Sequence, residues 1–511
     1  MTYEVVVVGG GVGGLTTAAL LAARGVKVCL VEKEPHAGGC ASTFPRAGYT
    51  FEAGPSLYAS WEHGEIHDRV FSELGVSAPE TRLNTPSYLV RLPDGVDIPI
   101  STIDEEFEND LAQAFPECSG QAIAFYRQIL PIGDALRRIA HRVPDIRTAS
   151  TVRVAKAAIH EYKIALRALG GINNTLGHYL HNTSSRFRRF VDVQLQIFSQ
   201  RPSDECAFLF AAVALMLPRR GMYSIKGGAA GLTDKLTEAI QKNGGTVRFN
   251  ATALRIAYDE GGRAIAVDLL NGERIEVSRA VVSNLTLWDT YGRLVSNDKT
   301  PPEIRKRLRS VQGWGAYLMY LGIEERAAAG LIANHILALT DFQEGKQFDP
   351  EFGQFMFAAA PDWDTRGPKG KRAVTVSTFT EASQWFTYHE NEEDLEAQDQ
   401  AMMEKQWELI HKAMPELGSS VEIIETATPR TFFDYTRRKL GMVGGIGQSL
   451  DVFGMRSFSH RTHIPNLFLA GDTVFPGQGI AGVTQSGLIV ADEITGRGKR
   501  KNRFKRKISR G

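Results

Sequence analysis

The segment Val5–Gly14, VVVVGGGVGG, constrains this chain more than any other. Four β-branched residues running into five glycines read as a buried strand ending in a very tight turn. The residues that follow, LTTAALLAARG, carry apolar side chains at helical spacing. Gly9, Gly11 and Gly14 fit a dinucleotide fingerprint: one glycine for the turn, one for close backbone approach to a pyrophosphate, one for helix–strand packing. The uncovered N–H groups of the helix start, Gly13 among them, would face the phosphates. A second valine-rich strand, VKVCLVE, ends in Glu32, and Lys33 follows it. Glu32 stands at the spacing expected of a carboxylate on the adenosine ribose hydroxyls.

No second strand–GxGxxG–helix unit is visible, since GGAAG at 227–231 follows a turn and GGIG at 444–447 precedes no helical pattern. A separate NAD domain is therefore not expected. The segment IPNLFLAGDTVFPGQGIAGVTQSG reads as a strand, an acid at its tip (Gly471, Asp472), a Gly/Pro loop and a helix from about Ile480. Such a segment suits the far side of an FAD site. Asp472 would face ribityl or pyrophosphate-side groups. The helix opening at Gly479, Ala481 and Gly482 would aim its positive end at the pyrimidine edge of a reduced flavin.

With 511 residues the chain exceeds one ordinary core, and 43% hydrophobic with 23% charged residues marks a folded globular protein. The nucleotide signals lie at both ends and in the middle. We therefore expect an α/β fold: a discontinuous Rossmann-type FAD-binding domain (1–75, 222–295, 440–496) with an inserted mixed α+β substrate-binding, partly helical domain (76–221, 296–439). EGGR and NGER mark hairpin turns between short strands in the middle of the chain. The last fifteen residues, 497–511, hold nine Lys or Arg and no acid, leaving 50 basic against 58 acidic residues elsewhere, net −8. Such a tail is read as disordered, and it would either attract an anionic membrane surface or merely solubilise. No nucleic-acid module accompanies it. The stretch VRVAKAAIHEYKIALRALG sets Val152, Ala155, Ala158 and Ile159 against Arg153, Lys156 and Lys163, an amphipathic helix for a membrane or for a protein surface. Four cysteines without CxxC spacing and no signal peptide before the first strand point to a cytoplasmic protein with peripheral membrane contact. His63 and His67 are the one His pair at i, i+4 spacing on a helix turn, with no third ligand; we read them as a surface pair and expect no metal.

Gly9–Gly14, Glu32, Gly38–Gly39 with Ser42, GYTFEAGPS, Gly227–Gly228 and AGD…PGQGIAGVTQSG together resemble the phytoene desaturase family of flavoproteins, within the amine-oxidase-like group. The runs RRFVDVQLQIFSQ and RTHIPNLFLAGDT resemble its carotenoid desaturases and isomerases most. The resemblance implies FAD, with Gly38, Gly39 and Ser42 along pyrophosphate and flavin, Gly54 facing the isoalloxazine, and the Val247 backbone at the adenine. Glu52 stands where many relatives have Asp. It further implies hydride exchange between flavin N5 and an apolar polyene, as a carotenoid desaturase or cis–trans isomerase. Retinol-type saturation, another amine-oxidase-like oxidation and a non-catalytic isoprenoid escort are the alternatives. Without an NAD domain, a quinone or other carrier would exchange the electrons. Polyene chemistry asks for an apolar tunnel rather than an acid–base pair, so no catalytic residue is assigned. Ala207–Leu217 reads as a tunnel wall or an ordinary buried helix. Arg437, Arg438 and Lys439 belong either at the flavin or on the surface.

Overall fold

The opening strand, Thr2–Val8, sits in the middle of a seven-stranded sheet because its valines are buried on both faces. The computed structural model describes residues 2–54, 56–386 and 392–497. Thr2–Val8 pairs in parallel with Val28–Val31 on one side and with Arg274–Ser283 on the other. Thr246–Arg248 extends the sheet beyond Val28–Val31, and Leu467–Leu469 pairs in parallel with the end of Arg274–Ser283. Ala253–Tyr258, Ala264–Leu269 and Arg274–Ser283 form the antiparallel meander that EGGR and NGER announced. The helix Val12–Ala23 is buried at every residue up to Ala22, because the sheet, helix Ala229–Lys242 and helix Ile480–Thr495 enclose it. A helix enclosed on all sides has no polar face to show, and its sequence has none.

Between these pieces lies a second seven-stranded sheet, in the order Val421–Ala427, Gly315–Glu324, Lys371–Thr380, Gln354–Ala359, His335–Leu339, Leu89–Arg91, Asp97–Pro99. Its strands are antiparallel apart from the pair His335–Leu339 and Leu89–Arg91. The sequence gives little warning of it. Gly315–Glu324 and Gln354–Ala359 are buried on both faces, so no polar–apolar alternation marks them as strands. Helices Ser119–Arg142, Ser185–Ser199 and Phe208–Arg220 share a third core with the edge of this sheet. The hairpin Thr43–Arg46/Tyr49–Glu52, early in the chain, packs Tyr49 and Phe51 against Leu318 and Tyr320 of the second sheet rather than against the first.

Two expectations need correction. His63 is exposed and faces Asp68, but His67 is 1% exposed, its ring stacked on Trp61 at 4.2 Å. It belongs to the core face of helix Ile66–Leu74, with Val70, Phe71 and Leu74, and is no surface residue. The basic stretch forms not one helix but two short ones, Thr151–Ala158 and Tyr162–Leu169, whose apolar residues divide between the two sides, with Ala168 buried and Ile164 packed on the core. Ala157 and Glu161 face the protein, while Val152, Ile159 and Tyr162 are 64%, 63% and 57% exposed. Three cysteines are buried thiols and Cys40 is half-buried; all are free. Among the described residues no helix is long and apolar enough to cross a membrane. Apart from Arg497, which pairs with Glu73, the basic tail lies outside the described residues.

Burial holds the His67 imidazole neutral, its pKa lowered from 6.5 to about 3. An unfolded histidine takes up a proton below 6.5, so this group withdraws stability as pH falls from 6.5 towards 3, by roughly 5 kcal/mol in all. His67→Phe should flatten the fall of the denaturation midpoint across that window. An unchanged slope would mean that other groups carry the acid sensitivity.

Candidate cofactor and substrate site

The glycine turn and the closing segment meet across one cavity of about 1020 Å³. Gly9 sits at φ +100°, and its amide donates to Val31 O at 2.9 Å. Gly10 N donates to Glu32 Oε2 at 2.6 Å and Glu34 N to Glu32 Oε1 at 2.9 Å, so two amides fix the carboxylate at the cavity wall. Helix Val12–Ala23 begins at Gly11 with no side-chain cap and no acid in its first turn. On the facing side, strand Leu467–Leu469 leads through Gly471 and Asp472 to helix Ile480–Thr495. That helix is capped by Gly479, again with neither a side-chain cap nor a first-turn acid. A Cβ at Gly479 would meet nothing within 4 Å. Two bare helix N-termini therefore open on one space, each with unpaired amides and partial positive charge.

Gly9, Gly11, Gly13, Glu32, Lys33, Gly38, Gly39, Ser42, Gly54, Gly471, Asp472, Gly479, Ala481 and Gly482 all line this cavity. Gly14 and Val247 do not. A Cβ on Gly14 would lie 2.3 Å from Gly9 O, so that glycine serves the turn's packing against its helix. Val247 pairs with Leu30 on the edge strand of the sheet, and Ala251–Leu254, a few residues on, line the cavity instead. The hydrogen bond from Ala251 N to Glu32 O, at 2.8 Å, turns that loop onto the cavity. Asp472 is engaged: Arg438 donates to its Oδ2 at 2.8 Å and to Met442 O at 2.6 Å. Arg437 and Arg438 thus lie at the cavity, whereas Lys439 is not part of its lining.

Sequence reasoning missed Asn284, at the end of strand Arg274–Ser283. Its Nδ2 donates to Ala470 O at 3.0 Å, and its side chain fills the space where Cβ atoms on Gly11, Gly13 and Gly14 would go. Nothing in VVSNLTLW marks that asparagine beforehand. Glu52, treated as a neutral replacement, anchors a buried network. Arg366 donates to its Oε1 and Tyr58 to its Oε2, each at 2.5 Å, while Arg366 also pairs with Asp364 at 2.9 Å. Asp364 in turn accepts from Gly227 N at 2.9 Å. Burial raises the Glu52 carboxyl above its usual range and Arg366 opposes this. Burial, aided by Arg366, lowers nearby His335 to about 4, so it is neutral at ordinary pH. Burial likewise raises the Cys40 thiol, against the pull of Arg438, keeping it protonated.

Away from the glycines the lining is mixed: Glu65, paired with Arg137 and His141, is one polar group, and apolar side chains cover much of the rest. Leu136, Ile139, Ile197, Phe198, Phe210, Val213, Leu217, Phe453 and Phe475 form this apolar limb. Helix Phe208–Arg220 serves both of the roles read from its sequence: Phe210, Val213 and Leu217 face the cavity, and Phe208, Ala211 and Leu215 enter the core. Among the described residues the one ring pair within the lining is Phe210–Phe453, edge to face, and no group of His, Cys, Asp and Glu is placed to hold a metal.

Residues 12–495 match the family described as flavin containing amine oxidoreductase. The chloroplastic prolycopene isomerase of Daucus carota is 24% identical over 96% of this chain and 80% of its own length. The all-trans-retinol 13,14-reductase of Homo sapiens is 23% identical over 96% of this chain and 85% of its own. The crystal structure of an oxidoreductase from Methanosarcina mazei superposes with a TM-score of 0.64 at 17% identity, covering 96% of this chain and 100% of that one. That likeness extends the α/β architecture with its second, mixed domain to the whole chain. The family implies a flavin, and the residues present fit one: bare helix N-termini for phosphate and ring edge, a fixed carboxylate for ribose, and glycines wherever backbone must come close.

Asp472→Ala removes one carboxylate from the cavity and leaves Arg438 without its partner. We expect flavin to dissociate roughly 10- to 100-fold more readily, the scale of a lost charge-assisted hydrogen bond. The flavin-to-protein ratio after gel filtration, together with titration of the apoprotein, reads this directly. Unchanged retention would restrict Asp472 to holding Arg438.

Proposed function

This chain belongs to the flavin containing amine oxidoreductase family, and from that premise we propose that it is an FAD-dependent oxidoreductase acting on a polyene isoprenoid, as a carotenoid desaturase or cis–trans isomerase. The observation that carries this reading is the continuity of the two-helix end of the cavity with its apolar limb. When bound, the flavin supplies a two-electron carrier at its ring edge. The chain's part is placement and dryness. Gly9–Gly14, Gly38, Gly39 and Ser42 would take the pyrophosphate side, Glu32 the ribose, and Gly479–Gly482 the pyrimidine edge. Ile139, Ile197, Phe198, Phe210, Val213 and Leu217 would hold a long apolar chain and keep water from it. No titratable pair is needed for such a reaction, and Glu52, Arg366 and Tyr58 satisfy one another. Amine oxidation finds less support, for the lining offers no facing ring pair to hold a cation. Polyene saturation is the second reading, favoured by the retinol reductase among the relatives.

The substrate would arrive from a bilayer. Ala140, His141 and Ile146 line the cavity, and the chain passes from them into helices Thr151–Ala158 and Tyr162–Leu169. Those helices and the turn between them expose Val152, Ile159 and Tyr162 beside Arg153, Lys156, Lys163 and Arg167. The one acid between them, Glu161 in the turn Ile159–Glu161, is buried against Arg138. Apolar side chains among unopposed cations suit an anionic lipid surface. A quinone or another carrier in that membrane would exchange the electrons.

Two measurements test the reading. Anaerobic incubation of oxidised and of reduced protein with a panel of carotenes and retinoids should yield a desaturated, isomerised or saturated product. A protein that purifies without flavin and converts none of them would favour the escort alternative. Val152→Asp with Ile159→Asp should cut co-sedimentation with phosphatidylglycerol-containing vesicles several-fold at low salt. Undiminished binding would remove these helices from the membrane contact.

A further inference from the structure

Arg147 directly follows Ile146, which lines the cavity. Its Nε and Nη1 are buried and make no hydrogen bond. The acid beside it in the chain is already engaged: Asp145 Oδ1 accepts from the Arg147 backbone N at 3.1 Å, and its Oδ2 from Thr148 Oγ1 at 2.6 Å. A second cation stands close by. Arg307 lies on helix Pro302–Ser310, where Arg305, Lys306, Arg307 and Arg309 accompany a single acid, Glu303. Its guanidinium covers the Phe458 ring at 3.9 Å, and its Nη2 donates to backbone carbonyls, Asp451 O at 3.5 Å and Arg456 O. Burial lowers the pKa of Arg307, and the charge of Arg147 lowers it further, with Asp451 opposing. His460, 2% exposed and bonded through Nδ1 to Leu469 O at 3.0 Å, feels the same Arg147 charge, and its Nε2 is buried without a partner. Among the described residues neither arginine forms an ion pair. Buried charge without a partner is expensive, and two such cations side by side call for an anion.

The surroundings indicate what carries that anion. Arg147 leads into helix Thr151–Ala158, whose Val152 is exposed, and Arg307 is tied to Arg456, whose neighbour Met455 is 66% exposed. A free anion in water needs no apolar rim; a lipid headgroup has acyl chains to meet one. We infer that Arg147 and Arg307 form a phosphate site for an anionic phospholipid, of the phosphomonoester class that phosphatidate represents. A phosphomonoester carries about two negative charges at neutral pH and matches two cations, where a carboxylate or a phosphodiester brings one. The inference rests on the membrane reading above and narrows it to one headgroup site. Because Ile146 adjoins Arg147 and lines the cavity, a phosphate seated there sets the apolar limb against the start of the acyl chains.

The test is co-sedimentation of the flavin-loaded full chain with phosphatidylcholine vesicles containing either dioleoylphosphatidate or oleate, at matched surface charge and low salt. The unaltered protein should bind the phosphatidate vesicles at least about fivefold more tightly, the worth of one well-placed cation at a membrane surface. Arg147→Met and Arg307→Met should each erase that preference while keeping most of the binding to oleate vesicles, whereas Val152→Asp with Ile159→Asp should weaken both. Equal binding of the two vesicles by the unaltered protein overturns the inference and leaves the membrane reading standing. Binding of neither removes both. Inorganic phosphate is the third probe: if it raises the denaturation midpoint of the unaltered protein but not of Arg147→Met, and the vesicles show no preference, the site belongs to free phosphate and the lipid is overturned. Without any ligand, Arg147→Met should melt no lower than the unaltered protein, since it removes a buried charge that nothing pairs. A lower midpoint would mean that the protein itself satisfies the guanidinium, and would overturn the site.

Discussion

The close packing of the opening glycine turn against the closing strand and helix holds the site together. Asn284 is the wedge between them: its amide nitrogen reaches Ala470 O while its side chain abuts the positions of Gly11, Gly13 and Gly14. Thr17 Oγ1 donates to Gly13 O at 2.8 Å and approaches Gly487 O at 3.4 Å, and Gly471 N donates to Ser486 Oγ at 2.9 Å. Any side chain at Gly13 or Gly487 would press on backbone or on Thr16 and push the two segments apart. Small residues here are what allow two helix ends to share one space.

That contact explains which features could be read in advance. Val5–Val8, Gly9–Gly14 and Glu32 act locally: strand, turn and acid follow one another, so their pattern survives in one dimension. The closing strand and its acid were equally visible, as a short apolar run ending in Gly471–Asp472. The second sheet was not, because strands such as Gln354–Ala359, covered on both faces, have no alternation to display. The partners of the site's polar groups were also hidden. Arg438 reaches Asp472 across 34 residues, and Arg366 reaches Glu52 across 314. No spacing rule links such pairs.

The misreading of His67 has a plain cause: it was judged by side-chain type alone, a histidine as polar. The fold reverses this, for Trp61 covers His67 and makes its neutral ring part of a core. Val247 shows a different limit. The resemblance placed its backbone at the adenine; the residue pairs with Leu30 and is not part of the cavity lining, which takes in Ala251–Leu254 a few residues later, where Ala251 bonds to Glu32 O.

The strand Leu467–Leu469 and the helix Ile480–Thr495 come late in translation, yet they complete a sheet begun by the second residue. While a ribosome works through the intervening four hundred or so codons, the valine core and the first glycine loop await their cover. The nascent chain can assemble the second sheet and its helices meanwhile, but it has no finished vessel for a cofactor. A chain interrupted before Leu467 would lack both the last parallel partner of Arg274–Ser283 and one wall of the cavity, however well its remaining cores were formed.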